Sequence, residues 1–104
     1  MKVLTVKTIE KIPPPVQRDI HYLFQMEHHT EHIFRNKNAP FYSATISIEN
    51  PKAVIRLIRE KSVEIPEYTI VIEDLDMDAD RFERIIIQGG KVKKRSRGTL
   101  TFDQ

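Results

Sequence analysis

The stretch DADRFERIIIQGG, Asp78 to Gly90, decides the fold. As a helix it would be capped by Asp78 and ended by Gly89. As a strand it would run straight into a tight turn. Three consecutive isoleucines favour the strand, because β-branched side chains suit a pleated surface and crowd a helical turn. Gly89-Gly90 favours a two-residue primed turn, whose central residues need positive φ. The segment is therefore expected to be one arm of a hairpin. The basic run KVKKRSRG, Lys91 to Gly98, is the returning arm, and TLTF after it adds a last short strand.

Upstream of this hairpin the hydrophobic pattern changes period several times. VLTVKTI, Val3 to Ile9, is β-branched and roughly alternating, and reads as a strand. Pro13 to Pro15 stop it. Pro15 is acceptable as the first residue of a helix, where the missing N–H has no bond to make. From Val16 to about Phe34 the spacing predicts a long helix, with Val16, Ile20, Leu23, Phe24 and Phe34 on one stripe. Tyr22, Met26 and Ile33 form a second apolar stripe, a candidate contact for a protein partner or for a second copy of the chain. Asn36 to Asn38 and Pro40 end the helix.

FYSATISIE, Phe41 to Glu49, alternates cleanly: Tyr42, Ala44, Ile46 and Ile48 point one way and Ser43, Thr45 and Ser47 the other. NPKAVIRLIREK then predicts a helix with Asn50 as cap, Pro51 as first helical residue and Val54, Leu57 and Ile58 facing inward. YTIVIED, Tyr68 to Asp74, is apolar on both faces, as a central strand must be. The expected order is β-α-β-α-β-β-β. It is close to β-α-β-β-α-β without matching it. Apolar helix faces must pack on the sheet, so the expected fold is a two-layer α+β sandwich. Its sheet has four to six strands and is mainly antiparallel, with two helices on one face.

One hundred and four residues make one domain. Hydrophobic residues at 39% and charged residues at 31% are a globular composition. No apolar run reaches the ~20 residues of a membrane span, and no signal peptide is visible, so a cytoplasmic location is expected. Cysteine is absent, which excludes disulfides, thiolate metal sites and cysteine nucleophiles. The net charge of +2 is unevenly spread. Lys91, Lys93, Lys94, Arg95 and Arg97 crowd five positive charges into seven residues, against twelve basic and fifteen acidic residues elsewhere. On a regular strand Lys91, Lys93 and Arg95 face one way, and Val92, Lys94 and Ser96 the other. Such a ribbon can follow a phosphate backbone, each neutralised phosphate adding salt-dependent affinity. Lysines on an edge strand also discourage sheet-to-sheet aggregation.

Two further clusters invite chemistry. His21, His28 and His32 share one side of the predicted helix, with Gln25 and Arg35, and read as a solvated face. His28 and His32, at i and i+4, are the weak metal candidates. His28-x-x-Glu31-His32 resembles the inverzincin metalloprotease signature, which implies His28 and His32 as zinc ligands and Glu31 as the general base. The resemblance covers five residues, and no second motif marks the third ligand such a site requires. Glu27 and Glu31 fall inside the apolar stripe, where an unpaired carboxylate is costly, so the helix must bend near His28 or supply a cation to them. Asp74, Asp76 and Asp78 start like a calcium loop, but Ala79 stands where glycine is needed and Ile85 where the bidentate glutamate belongs. No phosphate-binding loop, nucleophile elbow or dinucleotide fingerprint is present. The sequence therefore points to a small non-enzymatic binding module without a cofactor. Its expected partners are nucleic acid, met through residues 91–97, or another protein or itself, met through the first helix; no membrane partner is expected.

Overall fold

A computed structural model of the chain describes residues 2–28, 34–35, 41–48 and 50–100, without the side chains of 24, 26–28, 34 and 35. Strand β1 (Lys2–Thr8) is followed by helix α1 (Pro14–His28), strands β2 (Phe34–Arg35) and β3 (Ser43–Ser47), and helix α2 (Lys52–Glu64). Strands β4 (Ile70–Asp76), β5 (Arg81–Gln88) and β6 (Lys91–Thr99) follow. All six strands lie in one antiparallel sheet, ordered β2-β3-β1-β4-β5-β6.

The expected α+β order is present, with one short addition, the two-residue β2. That addition makes the first six elements β-α-β-β-α-β, the split βαβ or ferredoxin-like arrangement. The pairing agrees: β3 lies between β1 and β2, and β1 lies between β3 and β4. The β5–β6 hairpin extends this sheet by two strands on the β4 side.

The predicted helix over 16–34 is shorter than expected. Its last residue is His28, and Phe34, counted above in its apolar stripe, pairs instead with Thr45 of β3. The helix also starts early, because Pro14 and Pro15 need no N–H bond in a first turn, while the Pro13 carbonyl accepts from Val16 and Gln17 N–H. Pro51 has helical dihedrals (φ −75°, ψ −12°) and its carbonyl accepts from Ile55 N–H. Asn50 is thus the cap of α2, its Oδ1 accepting from Lys52 N–H at 3.2 Å.

One face of the sheet carries the core. Leu4, Val6, Ala44, Ile46, Ile70, Ile72, Ile85 and Ile87 pack there with Ile20 of α1 and with Val54 and Ile58 of α2. Tyr42, Ala44, Ile46 and Ile48 are all buried, as their alternation predicts. Ile70, Val71 and Ile72 are fully buried, which fits the central place of β4 between β1 and β5. The β5–β6 turn is a glycine pair with φ of +58° at Gly89 and +81° at Gly90, the signs a primed two-residue turn demands. A Cβ on Gly90 would also stand 2.6 Å from Val63 Cγ2 of α2. β6 runs through Gly98 to Thr99 and takes in the start of the strand expected after Gly98; Leu100 lies beyond β6, and the rest of that expected strand lies outside the described residues.

Candidate functional site

The basic run does not alternate as a regular strand. Ile86 pairs with Lys94 but Ile87 pairs with Val92, so Lys93 is an extra residue, a β-bulge. The bulge resets the pleat. Val92 packs against the core, and Arg95 and Arg97, opposite Ile85 and Glu83, share its helix-side face. Lys94 and Lys91, opposite Ile86 and Gln88, take the other face. The expected grouping of Lys91, Lys93 and Arg95 on one side is therefore replaced by Val92, Arg95 and Arg97.

This turns two arginines toward helix α2. The sheet is six strands wide and carries two helices, so a groove remains open between α2 and the outer strands. The groove holds a cavity of about 350 Å³. Lys52, Arg56 and Arg59 line one wall from α2, and Arg95 and Arg97 line the other from β6. Lys2, Asp74, Glu83 and Ile85 contribute from β1, β4 and β5, and Ile55 from the helix. Among the described residues six cationic and two anionic side chains thus converge, a net of four positive charges. A second cavity of about 300 Å³ continues the groove along the sheet, sharing Lys2, Asp74, Glu83 and Arg97 and adding Asp76, Arg81 and Phe82.

The local sequence explains each wall. Lys52, Arg56 and Arg59 stand at i, i+4 and i+7, one stripe of a 3.6-residue helix and away from the inward Val54 and Ile58. Arg95 and Arg97 are two apart on a strand and so share a face. Glu83, directly opposite Arg97 in the ladder, reaches both arginines: its Oε1 lies 2.9 Å from Arg95 Nε and its Oε2 3.6 Å from Arg97 Nε. Asp74 is Glu83's cross-strand partner. Burial is the main cause that holds the Asp74 carboxyl above its ordinary value; the Glu83 and Asp76 charges add to this and Lys2 opposes it.

Of the residues singled out in the sequence, Arg95 and Arg97 enter the groove, while Lys91, Lys93 and Lys94 are not among its lining residues. Lys2, Lys52, Arg56 and Arg59 were not picked as ligand-binding residues. The i, i+4, i+7 spacing in α2 was the available signal, but only the register of β6 tells which strand faces it. On the first helix, Tyr22 is 60% exposed. Ile33 and the side chain of Met26 lie outside the described residues.

The histidine cluster divides. His21 is not on a solvated face: it is half-buried, with Nδ1 3.0 Å from the hydroxyl of the fully buried Tyr42 and its ring edge-on to the phenol. His32, Glu31 and the side chains of His28 and Glu27 lie outside the described residues. The acidic run is no calcium loop, since Asp74 and Asp76 belong to the β4 ladder. Asp76 Oδ1 accepts from Ala79 N–H to form the β4–β5 turn, with Asp80 at φ +51°. Among the described residues no group of three or more histidine or acidic side chains could hold a metal ion. No helix among them is long and apolar enough to cross a membrane.

Fold and groove together give a split βαβ arrangement with an appended hairpin and a groove lined mostly by cationic side chains. A fold of this kind hosts many functions, so the groove and not the fold bears on activity. No protein-family model, curated protein or solved structure matches the chain.

Proposed function

We propose that the protein is a non-enzymatic module that binds nucleic acid through its phosphate backbone, with the α2–β6 groove as the contact. The observation that carries this is the convergence of Lys2, Lys52, Arg56, Arg59, Arg95 and Arg97, from three separate elements, on one groove that holds two carboxylates among the described residues. Arginine suits the task, because its planar fork matches phosphate oxygens in pairs. Among the described residues the α2–β6 cavity has no aromatic in its lining, so stacking of bases contributes little there and binding is insensitive to sequence.

The test is a titration of labelled single-stranded and duplex oligonucleotides at several salt concentrations. A single strand meeting Arg56, Arg59, Arg95 and Arg97 gives a slope of about −3 in log K against log salt. Replacing Arg95 and Arg97 with alanine weakens binding at low salt by at least about tenfold and reduces that slope by about one to one and a half. Absence of binding at low salt, or affinity indifferent to these arginines, refutes the proposal.

A second reading, self-association or a protein partner through the first helix, rests on the exposure of Tyr22 and of Val63 on the two helices. Sedimentation that shows a monomer at every concentration removes self-association.

A further inference from the structure

We infer that Glu83 is an internal competitor for the anion site, occupying Arg95 and Arg97 until a phosphate group displaces it. This rests on the phosphate-binding reading above and says which residue sets the affinity of the groove. Each oxygen of the Glu83 carboxylate is directed at a different guanidinium, at 2.9 Å to Arg95 Nε and 3.6 Å to Arg97 Nε. A carboxylate held between two arginines presents the same shape and charge of oxygens that a phosphodiester would present.

The competitor is positioned so that it can be displaced. Arg97 is 72% exposed and Arg95 48%, so both bonds are reachable by solvent and by a ligand. Exposed pairs of this kind are weakly held. Asp74 also stands opposite Glu83 in the ladder as a like charge, which opposes its hold on the groove. Among the described residues the charges facing this pair are Lys2 from β1, Asp76 from β4, Arg81 from β5, Arg95 and Arg97 from β6, and Lys52, Arg56 and Arg59 from α2. Once Glu83 is displaced, both arginines are available to the ligand, together with Arg56 and Arg59 across the groove.

The arrangement also has a selective consequence. A ligand with one isolated negative charge exchanges one carboxylate for another and gains little. A chain of phosphates takes the two arginines and the α2 cations at once, and so outcompetes the glutamate.

The decisive variant is Glu83→Gln, which keeps the side chain's size and one acceptor oxygen but removes the charge. Binding of a labelled oligothymidylate and of inorganic polyphosphate is measured for both proteins at low salt, with thermal unfolding as the control for folding. The expected result is about three- to tenfold tighter binding of both probes by the variant, with a steeper salt dependence. Tighter binding of polyphosphate alone assigns the same site to free phosphate chains and not to nucleic acid, which sustains the inference and overturns its nucleic-acid source. Equal or weaker binding by the variant makes Glu83 a residue that merely orients the arginines, and overturns the inference while the groove stands. Binding by the variant when the wild type shows none makes Glu83 a permanent occupant of the arginines, and overturns the inference that phosphate displaces it. Binding by neither overturns both readings.

Discussion

Replacing Ser62 with alanine tests how the hairpin is fixed to the rest of the domain. Ser62 is fully buried near the end of α2. Its Oγ accepts from Gly90 N–H at 2.7 Å and its hydroxyl donates to the Arg59 carbonyl at 2.7 Å. The first bond joins the helix to the tip of the β5–β6 turn. In Ser62→Ala the half-buried Gly90 N–H loses its acceptor at the fully buried Ser62 position, and a donor left unsatisfied in such a place costs about 1–3 kcal/mol. The second bond is a short-range return within the helix and adds little. A total near 2 kcal/mol is a substantial part of the roughly 5–15 kcal/mol that stabilises a domain.

Urea unfolding followed by circular dichroism measures it. The midpoint falls by about 1 M with an unchanged slope, and the melting temperature falls by about 10 °C. Hydrogen exchange at the Gly90 amide accelerates in the variant, which ties the loss to this bond and not to a general loosening. Because the same contact sets the spacing between α2 and β6, the variant also weakens binding in the groove. A loss under about 0.5 kcal/mol, with Gly90 exchange unchanged, refutes the tether.

Gly90→Ala is expected to cost about 2 kcal/mol or more, from its φ of +81° and the approach of Val63 Cγ2, and a Val63→Ala background recovers only the steric part. Gly98→Ala places a Cβ 2.7 Å from Phe82 Cε1 and 2.9 Å from Cζ, so it displaces the ring at a cost of about 1–3 kcal/mol; calorimetry of Phe82→Leu with and without it shows a smaller penalty when the ring is gone. Glu10 links the β1–α1 loop to the start of β4, its carboxylate accepting from Thr69 N–H at 2.7 Å and Thr69 hydroxyl at 2.8 Å. Burial pushes the Glu10 carboxyl up, but the two bonds from Thr69 and one from its own backbone N–H together hold the carboxyl below its ordinary value. Its stabilisation is therefore complete above the unfolded-state value of about 4.3 and lost as pH falls through the lower folded value; Glu10→Gln flattens that part of a stability–pH curve.

Much of the fold was legible because its strongest signals are periodic and local. FYSATISIE alternates and is buried as it alternates. Asn50-Pro51 caps α2 where a cap is expected, and three isoleucines before Gly89-Gly90 make a strand and turn. The first helix was overextended because Phe34 continues an apolar stripe at helical spacing, and spacing alone does not register the pairing energy of a neighbouring strand. His21 was assigned to solvent by its angular position, while the partner that half-buries it, Tyr42, is twenty-one residues away in sequence.

The groove was less legible, for a reason that lies in one residue. A regular strand through 91–97 puts Arg95 with Lys91 and Lys93 and leaves the charges as an exposed ribbon at the sheet edge. The bulge at Lys93 reverses the pleat at the middle of the run, so that Arg95 and Arg97 join Val92 on the side where α2 lies. A bulge in a run of lysines has no composition signal, because no glycine or proline marks it. Its energetic source is on the neighbouring residues: Val92 gains by packing on the core, and Arg95 and Arg97 gain by reaching Glu83. Both gains require the same face, which a two-residue repeat from 92 to 95 cannot supply. The extra residue at 93 reconciles them, and in doing so converts an edge-strand charge run into one wall of a groove whose other wall, Lys52, Arg56 and Arg59, was already set by the period of α2.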